Sequence, residues 1–171
     1  MGEYVWTIYT IGGKLPKSRL PELHNLLSNF EDKDFPSKGE PGVIGAQGQM
    51  NYGQYDELDK FCRENGLTFH ASWAAQPGCF EAGGRYWKPG MPAVQEGFAD
   101  DGGEPAITLA QLEMAAKNGK TLESLIAELR LQSSDQVPPF EVCEDEEQRA
   151  SIDAMARLSN EYRAWCEKEG L

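Results

Sequence analysis

Histidine, cysteine and basic residues are scarce in this chain of 171 residues. It has two histidines and four cysteines, and its 16 Lys and Arg face 28 Asp and Glu, so the formal charge is −12. A serine triad, a cysteine dyad or a histidine-rich metal site would have to use His24 or His70. The cysteines are widely spaced without a CxxC pair, which predicts reduced thiols and neither a disulfide framework nor a zinc site.

Long apolar runs are also missing. No stretch reaches 18 consecutive apolar residues, which argues against a transmembrane helix, and the opening MGEYVW has the features of neither a secretory signal nor a transit peptide. We therefore expect a cytoplasmic protein without membrane contact. Seven Phe, six Tyr and four Trp supply enough large apolar side chains for a folded core.

The N-terminal part, residues 1–95, reads as a sheet with two covering helices. Alternating β-branched and aromatic residues predict a strand over 3–11, stopped by Gly12-Gly13, and a second strand over 67–75. Apolar residues at helical spacing predict a helix over 20–30 and another that begins near Tyr55 and ends at Asn65-Gly66. The glycine-rich segment 42–53 and the aromatic segment 79–88 are left as candidate strands.

The C-terminal part, residues 96–171, is acidic and helical. It carries a net charge of −10, against −2 for residues 1–95. Apolar periodicity predicts a helical hairpin over 108–131, with Thr108 and Thr121 as N-caps and a break at Asn118-Gly119. A linker over 132–143 and a long amphipathic helix over 144–168 follow. The sequence thus predicts an α+β fold with a small mixed sheet, its two parts packed as one compact unit.

Nucleotide and nucleic-acid motifs are weak in this chain. The hairpin fits a helix-turn-helix template, but its second helix, TLESLIAELR, has Arg130 as its only base, and DNA phosphates require neutralisation by Lys and Arg. Gly42, Gly45 and Gly48 have GxxGxxG spacing without a preceding strand. We expect no direct nucleic-acid contact and no cofactor.

Carboxylates are the most plentiful candidates for chemistry. Asp100, Asp101 and Glu104 cluster in FADDGGEP, a segment that favours a solvated turn over a metal site because it lacks the alternating ligands of an EF-hand. A metal-dependent hydrolase that uses such acids, with or without His70, remains the enzyme alternative. A dyad of Cys79 and His70 would require the chain to double back. No catalytic or metal-ligating residue is assigned.

The charge favours a non-catalytic interaction protein. An acidic chain attracts basic partners, and extended basic surfaces belong to nucleic-acid-binding proteins, so we expect the protein to occlude such a surface as a nucleic-acid mimic or inhibitor. Aromatic and Arg side chains in the Gly- and Pro-rich segment 73–92 indicate a recognition loop. The predicted partner-binding residues are Asp100, Asp101, Glu104, Glu144, Asp145, Glu146, Glu147, Arg85 and Trp87.

An apolar stripe on the last predicted helix suggests self-association as a further alternative. A stripe of this kind needs a surface to cover it, either in the same chain or in a second copy. A structural or oligomerisation module, with a homodimer formed through this helix, is compatible with partner binding. The stripe consists of Ile152, Met155, Leu158, Tyr162 and Trp165.

Overall fold

The computed structural model describes residues 3–79, 81–100 and 102–145, together with residues 150, 154 and 157. This part of the chain contains strands and helices in an α+β arrangement, as the sequence predicts. The strands are β1 (Tyr4–Pro16), β2 (Asp32–Asp34), β3 (Ile44–Asn51), β4 (Thr68–Trp73), β5 (Gly83–Trp87), β6 (Gln95–Ala99), β7 (Pro105–Ala106) and β8 (Phe140–Cys143). The helices are α1 (Leu20–Leu27), α2 (Asp56–Glu64), α3 (Leu109–Lys117) and α4 (Leu122–Leu131).

The strands form one mixed sheet around β1. Its order is β2-β3-β1-β4-β5-β6-β7 with antiparallel neighbours, and β8 pairs in parallel with the end of β1. In the centre, Ile8 faces Gln47 on one side and Ser72 on the other. The predicted mixed sheet is confirmed, and it is larger than the residues 1–95 alone suggest.

Helices α1 and α2 cover one face of the sheet and form the core with it. Val5, Tyr9 and Ile11 of β1 alternate with exposed neighbours, as the period-two pattern predicts, and are fully or almost fully buried. Burying each such side chain stabilises the fold by roughly 1.5–3 kcal/mol. Both helices begin where the sequence indicates, although α1 ends at Leu27 and not at residue 30.

The glycines at positions 12 and 13 do not end β1, contrary to the sequence prediction. The strand runs on to Pro16 because Gly12 admits the backbone of Pro138 so closely that a Cβ there would lie 1.7 Å from its carbonyl oxygen. Gly13 adopts a φ of +111°, a value that glycine tolerates best. The absence of side chains at this point lets a second segment cross β1.

That crossing segment is the one predicted as a linker over 132–143. It contains a 3-10 turn at Ser134–Gln136 and strand β8, so the chain returns to the sheet after the helical hairpin. The hairpin itself occupies the predicted range, with Thr108 and Thr121 capping α3 and α4 and Gly119 at a φ of +75°. The predicted helix over 144–168 lies for the most part outside the described residues.

Candidate functional site

The sheet has a second face, which α1 and α2 do not cover, and the half of it formed by β1, β2 and β3 is exposed to solvent. Even-numbered residues of β1 point away from α1 and α2, and among them Trp6 is 40% exposed and Ile8 42% exposed. Their cross-strand neighbours on β3 are Gln49 and Gln47, and Gln47 in turn lies opposite Asp32 of β2. We call this surface the open face; it consists of Tyr4, Trp6, Ile8, Asp32, Asp34, Gln47, Gln49 and Asn51.

The other half of the same face is covered by the end of the helical hairpin. The side chain of Gln132 lies directly against Gly97 of β6, where any Cβ would collide with it. The backbone of Gln132 is also hydrogen-bonded to His70, and Glu128 of α4 acts electrostatically on Tyr86 of β5. These contacts stop short of β1 and β3, and the open face therefore keeps its large apolar side chains in solvent.

The open face has a negative edge and no basic strand residue. Asp32 and Asp34 are exposed on β2, the edge strand, and Gln47 Nε2 donates to Asp32 Oδ2 at 2.9 Å. Lys33, between the two acids, points to the opposite side, where its ammonium donates to the carbonyl of Phe30 at 3.1 Å. None of the eight residues of the open face is Lys or Arg. The base on the same side of β1, Lys14, lies beyond this surface, where its ammonium is 3.7 Å from Glu141 Oε2 of β8.

A strained turn with an exposed aromatic side chain follows the end of β3. Tyr52 follows β3 with a φ of +51°, a left-handed conformation that is unfavourable for a bulky residue, and it is 49% exposed. The turn is held because Tyr52 N–H donates to the carbonyl of Glu3 at 2.8 Å and Gly53 packs on the ring of Trp73. The backbone of Tyr52 is thus fixed next to Asn51, the cross-strand partner of Tyr4.

Beneath the sheet lies a buried polar cluster formed by Tyr9, Asp59 and Arg85. Tyr9 Oη donates to Asp59 Oδ1 at 2.8 Å, and Arg85 Nη2 contacts both Asp59 Oδ2, at 3.1 Å, and Tyr9 Oη. Burial raises the pKa of Asp59 to about 6, although Arg85 and the hydrogen bond from Tyr9 act in the opposite direction. The cluster ties β1, α2 and β5 together inside the core.

Two predicted partner-binding residues lie in the interior. Arg85 is 2% exposed and belongs to the buried cluster, whereas Trp87 is 7% exposed and donates from Nε1 to the carbonyl of Met91 at 3.0 Å. Both stand on the helix-covered face of β5, because they pair with Ala71 and Phe69 of β4. Neither side chain contributes to an accessible surface, so the recognition loop that the sequence suggests is not formed by them.

The predicted acidic residues divide into turn-forming and exposed groups. Asp100 Oδ1 accepts hydrogen bonds from the backbone N–H groups of Gly102 and Glu104 at 2.8 and 2.9 Å, which closes the turn between β6 and β7. Asp101 lies outside the described residues. Glu144 and Asp145 are exposed, and Asp145 accepts a hydrogen bond from Ser18 Oγ. The remaining predicted residues outside the described part are Glu146, Glu147, Ile152, Met155, Leu158, Tyr162 and Trp165.

The surroundings of His70 and Cys79 shift the pKa values of both side chains. Burial lowers the pKa of His70, and a hydrogen bond with Glu3 raises the pKa of the exposed Cys79 thiol, which disfavours the reactive thiolate. Within the described residues, no three His, Cys, Asp or Glu side chains are grouped to hold a metal ion. We therefore derive no reaction from this part of the chain.

Comparisons with protein-family models, with characterised proteins and with solved structures found no match to this chain. In the part that the structure describes, no helix is both long and apolar enough to cross a bilayer.

Sequence reasoning did not single out the open face. The alternation of the first strand places Trp6 and Ile8 on one side and Val5, Tyr9 and Ile11 on the other. Because both sides are apolar, the pattern resembles a strand buried on both faces. The pattern contains no signal for which side the helices leave uncovered.

Proposed function

We propose that this protein is a non-catalytic interaction protein that binds and occludes a basic, nucleic-acid-binding surface of a partner protein. The observation that supports this most directly is the open face, where large apolar side chains in solvent adjoin exposed carboxylates without an intervening base. The buried residues Arg85 and Trp87 are not part of the proposed surface.

The apolar side chains would supply most of the affinity. Trp and Tyr are enriched among the few interface residues that dominate binding, because they bury a large area with little loss of side-chain freedom. Tyr4, Trp6 and Tyr52 have this character and are all at least 40% exposed. The amides of Gln49 and Asn51 lie beside them and can satisfy hydrogen bonds of a partner.

The carboxylates would favour a partner with a positively charged surface. Asp32 and Asp34 border the open face, and the net charge of −12 extends the negative field beyond it. Such a field accelerates encounter with a basic surface and repels acidic ones. Lys- and Arg-rich surfaces are the electrostatic signature of nucleic-acid-binding proteins, which makes them the natural targets of an acidic competitor.

The test is affinity capture with the tagged full-length chain from nuclease-treated lysate, followed by assay of the captured protein. We expect a basic protein that dissociates as salt rises and whose binding to a labelled DNA or RNA is blocked by added protein. Trp6→Ala and the pair Asp32→Lys with Asp34→Lys should each weaken capture by at least about tenfold.

The matched control is the pair Asp56→Lys with Glu57→Lys, which changes two exposed acids on α2, on the other side of the sheet, and alters the net charge by the same amount. It should leave capture almost unchanged. Equal loss with this pair would mean that charge alone matters and would contradict the assigned surface. A captured protein that still binds nucleic acid at saturation would rule out occlusion.

A further inference from the structure

The helical hairpin of α3 and α4 exposes more apolar side-chain surface than its own contacts account for. Only Ala115 of α3 and Leu125 of α4 are buried. By contrast, α2 buries Leu58, Phe61 and Cys62 in a helix of similar length. Helices in proteins gain most of their stability from packing an apolar stripe, so a hairpin with two buried residues is under-packed.

The exposed apolar residues of the hairpin include one pair on each helix, besides Met114 and Leu131. Leu109 and Leu112 are three residues apart on α3, and Leu122 and Ile126 are four apart on α4, so each pair shares a helix face. All four are at least 40% exposed, with Leu109 at 71% and Leu122 at 65%. Together they expose on the order of several hundred Å² of apolar surface, the size of the largest apolar patch on a typical monomer, which is often a functional one.

The hairpin is electrically neutral in a strongly acidic protein. Residues 108–131 contain three acids and three bases, so the whole charge of −12 lies elsewhere. Lys120 and Glu128 form an ion pair within the hairpin at 2.7 Å. Two copies of this protein repel each other in most orientations, but they can approach hairpin to hairpin with little electrostatic cost.

We propose that the hairpin is a self-association surface, through which two copies pack their α3 and α4 helices into a four-helix interface. A two-fold arrangement buries the same patch on both copies, with the three leucines and one isoleucine as the apolar centre and polar residues of the two helices as the rim of an interface of roughly 800 Å² per partner. A basic partner would gain nothing from a neutral surface. This interface is separate from the open face and does not depend on the proposed function.

The experiment is sedimentation equilibrium of the full-length chain over a wide concentration range at low and high salt. The wild-type protein should reach twice the chain mass of 19.0 kDa. Because self-repulsion is screened by salt, the dimer should hold or strengthen as salt rises, opposite to the expected salt effect on partner binding. Leu122→Glu with Ile126→Glu should weaken dimerisation by at least about a hundredfold, since each copy would bury two unpaired charges.

The matched control is Met114→Glu. Met114 is 64% exposed and lies two residues after Leu112, on the opposite side of α3, because each residue advances about 100° around a helix. It should dimerise like the wild type. Circular dichroism checks that each variant folds. If the variant with Leu122→Glu and Ile126→Glu does not fold, the single change Leu109→Glu takes its place in the experiment.

Three results would overturn the proposal. The wild-type chain could remain at 19.0 kDa at every concentration, or Met114→Glu could dissociate the dimer as strongly as the paired variant. Alternatively, Leu158→Glu could dissociate the dimer while the hairpin variants do not. That result would assign self-association to the stripe over 152–165.

Discussion

Arg85 Nη2 of β5 lies 3.1 Å from Asp59 Oδ2 of α2, in an ion pair that is almost completely buried. Tyr9 of β1 shares both partners, so one polar cluster fixes the helix layer to the two sides of strand β4. A buried ion pair of this kind contributes little net stability when intact, yet it is costly to break because one charge is then left without a partner.

The ionisation of Asp59 should make stability depend on pH. Its pKa in the folded protein is about 6, above the ordinary value of 3.8, because burial disfavours the charged form. The folded state therefore binds the proton more tightly than the unfolded state. The resulting contribution of Asp59 to the free energy of unfolding is fully present below pH 4 and is lost as pH rises to about 6. The change corresponds to roughly 3 kcal/mol.

Urea denaturation of the wild type and Asp59→Asn between pH 4 and 7 measures this contribution. The free energy of unfolding of the wild type relative to Asp59→Asn should fall across that range and then level off. Glu57→Gln removes an exposed acid from the same helix and should retain the wild-type pH dependence. If the difference in free energy of unfolding between the wild type and Asp59→Asn stays constant with pH, the raised pKa of Asp59 is contradicted.

Breaking the ion pair from one side should cost more than removing both charges. Arg85→Met alone leaves Asp59 buried without its cation, and we expect a loss of about 3–5 kcal/mol in the free energy of unfolding. Asp59→Leu combined with Arg85→Met should lose less than Arg85→Met alone, and therefore less than the sum of the two single variants. Chemical denaturation of the four proteins tests this, and additive losses would show that the residues are not coupled.

The crossing of β1 by the segment before β8 should depend on Gly12. An added Cβ would lie 1.7 Å from the carbonyl oxygen of Pro138, so Gly12→Ala must displace backbone and should cost at least about 3 kcal/mol. Gly45→Ala on β3 is the control, because its nearest neighbour is Asp34 Cβ at 3.9 Å. We expect Gly45→Ala to be neutral or stabilising by up to about 1 kcal/mol. Similar melting temperatures for both variants would argue against the close crossing.

The apolar side chains of the open face should be dispensable for folding. Trp6→Thr should change the free energy of unfolding by less than about 1 kcal/mol, because Trp6 is exposed and Thr suits a strand. Phe69→Ala, at a fully buried position of β4, should cost about 3–5 kcal/mol. Thermal unfolding compares them, and a large loss for Trp6→Thr would mean that this side chain serves the fold and not binding.

The sequence predicts the regular elements that carry a strong local pattern. The alternation in β1 and β4, the leucine spacing of α1 and the threonine caps of α3 and α4 all act within a few residues of chain. Strands β2, β6, β7 and β8 carry no such pattern, because they are only two to five residues long. They form through hydrogen bonds to a neighbouring strand of the sheet, and for β8 that neighbour is the sequence-distant β1.

The sequence by itself determined the acidic charge, the α+β class and the faces of the longer helices and strands, since these depend on composition and short-range periodicity. Only the tertiary structure decided that Arg85 meets Asp59 inside the core, 26 positions away, and that Trp6 and Ile8 remain in solvent. Which charge is buried and which sheet face stays open depends on how distant elements pack. A local pattern distinguishes the two faces of a strand, but the packing of α1, α2 and α4 determines which parts of those faces are covered.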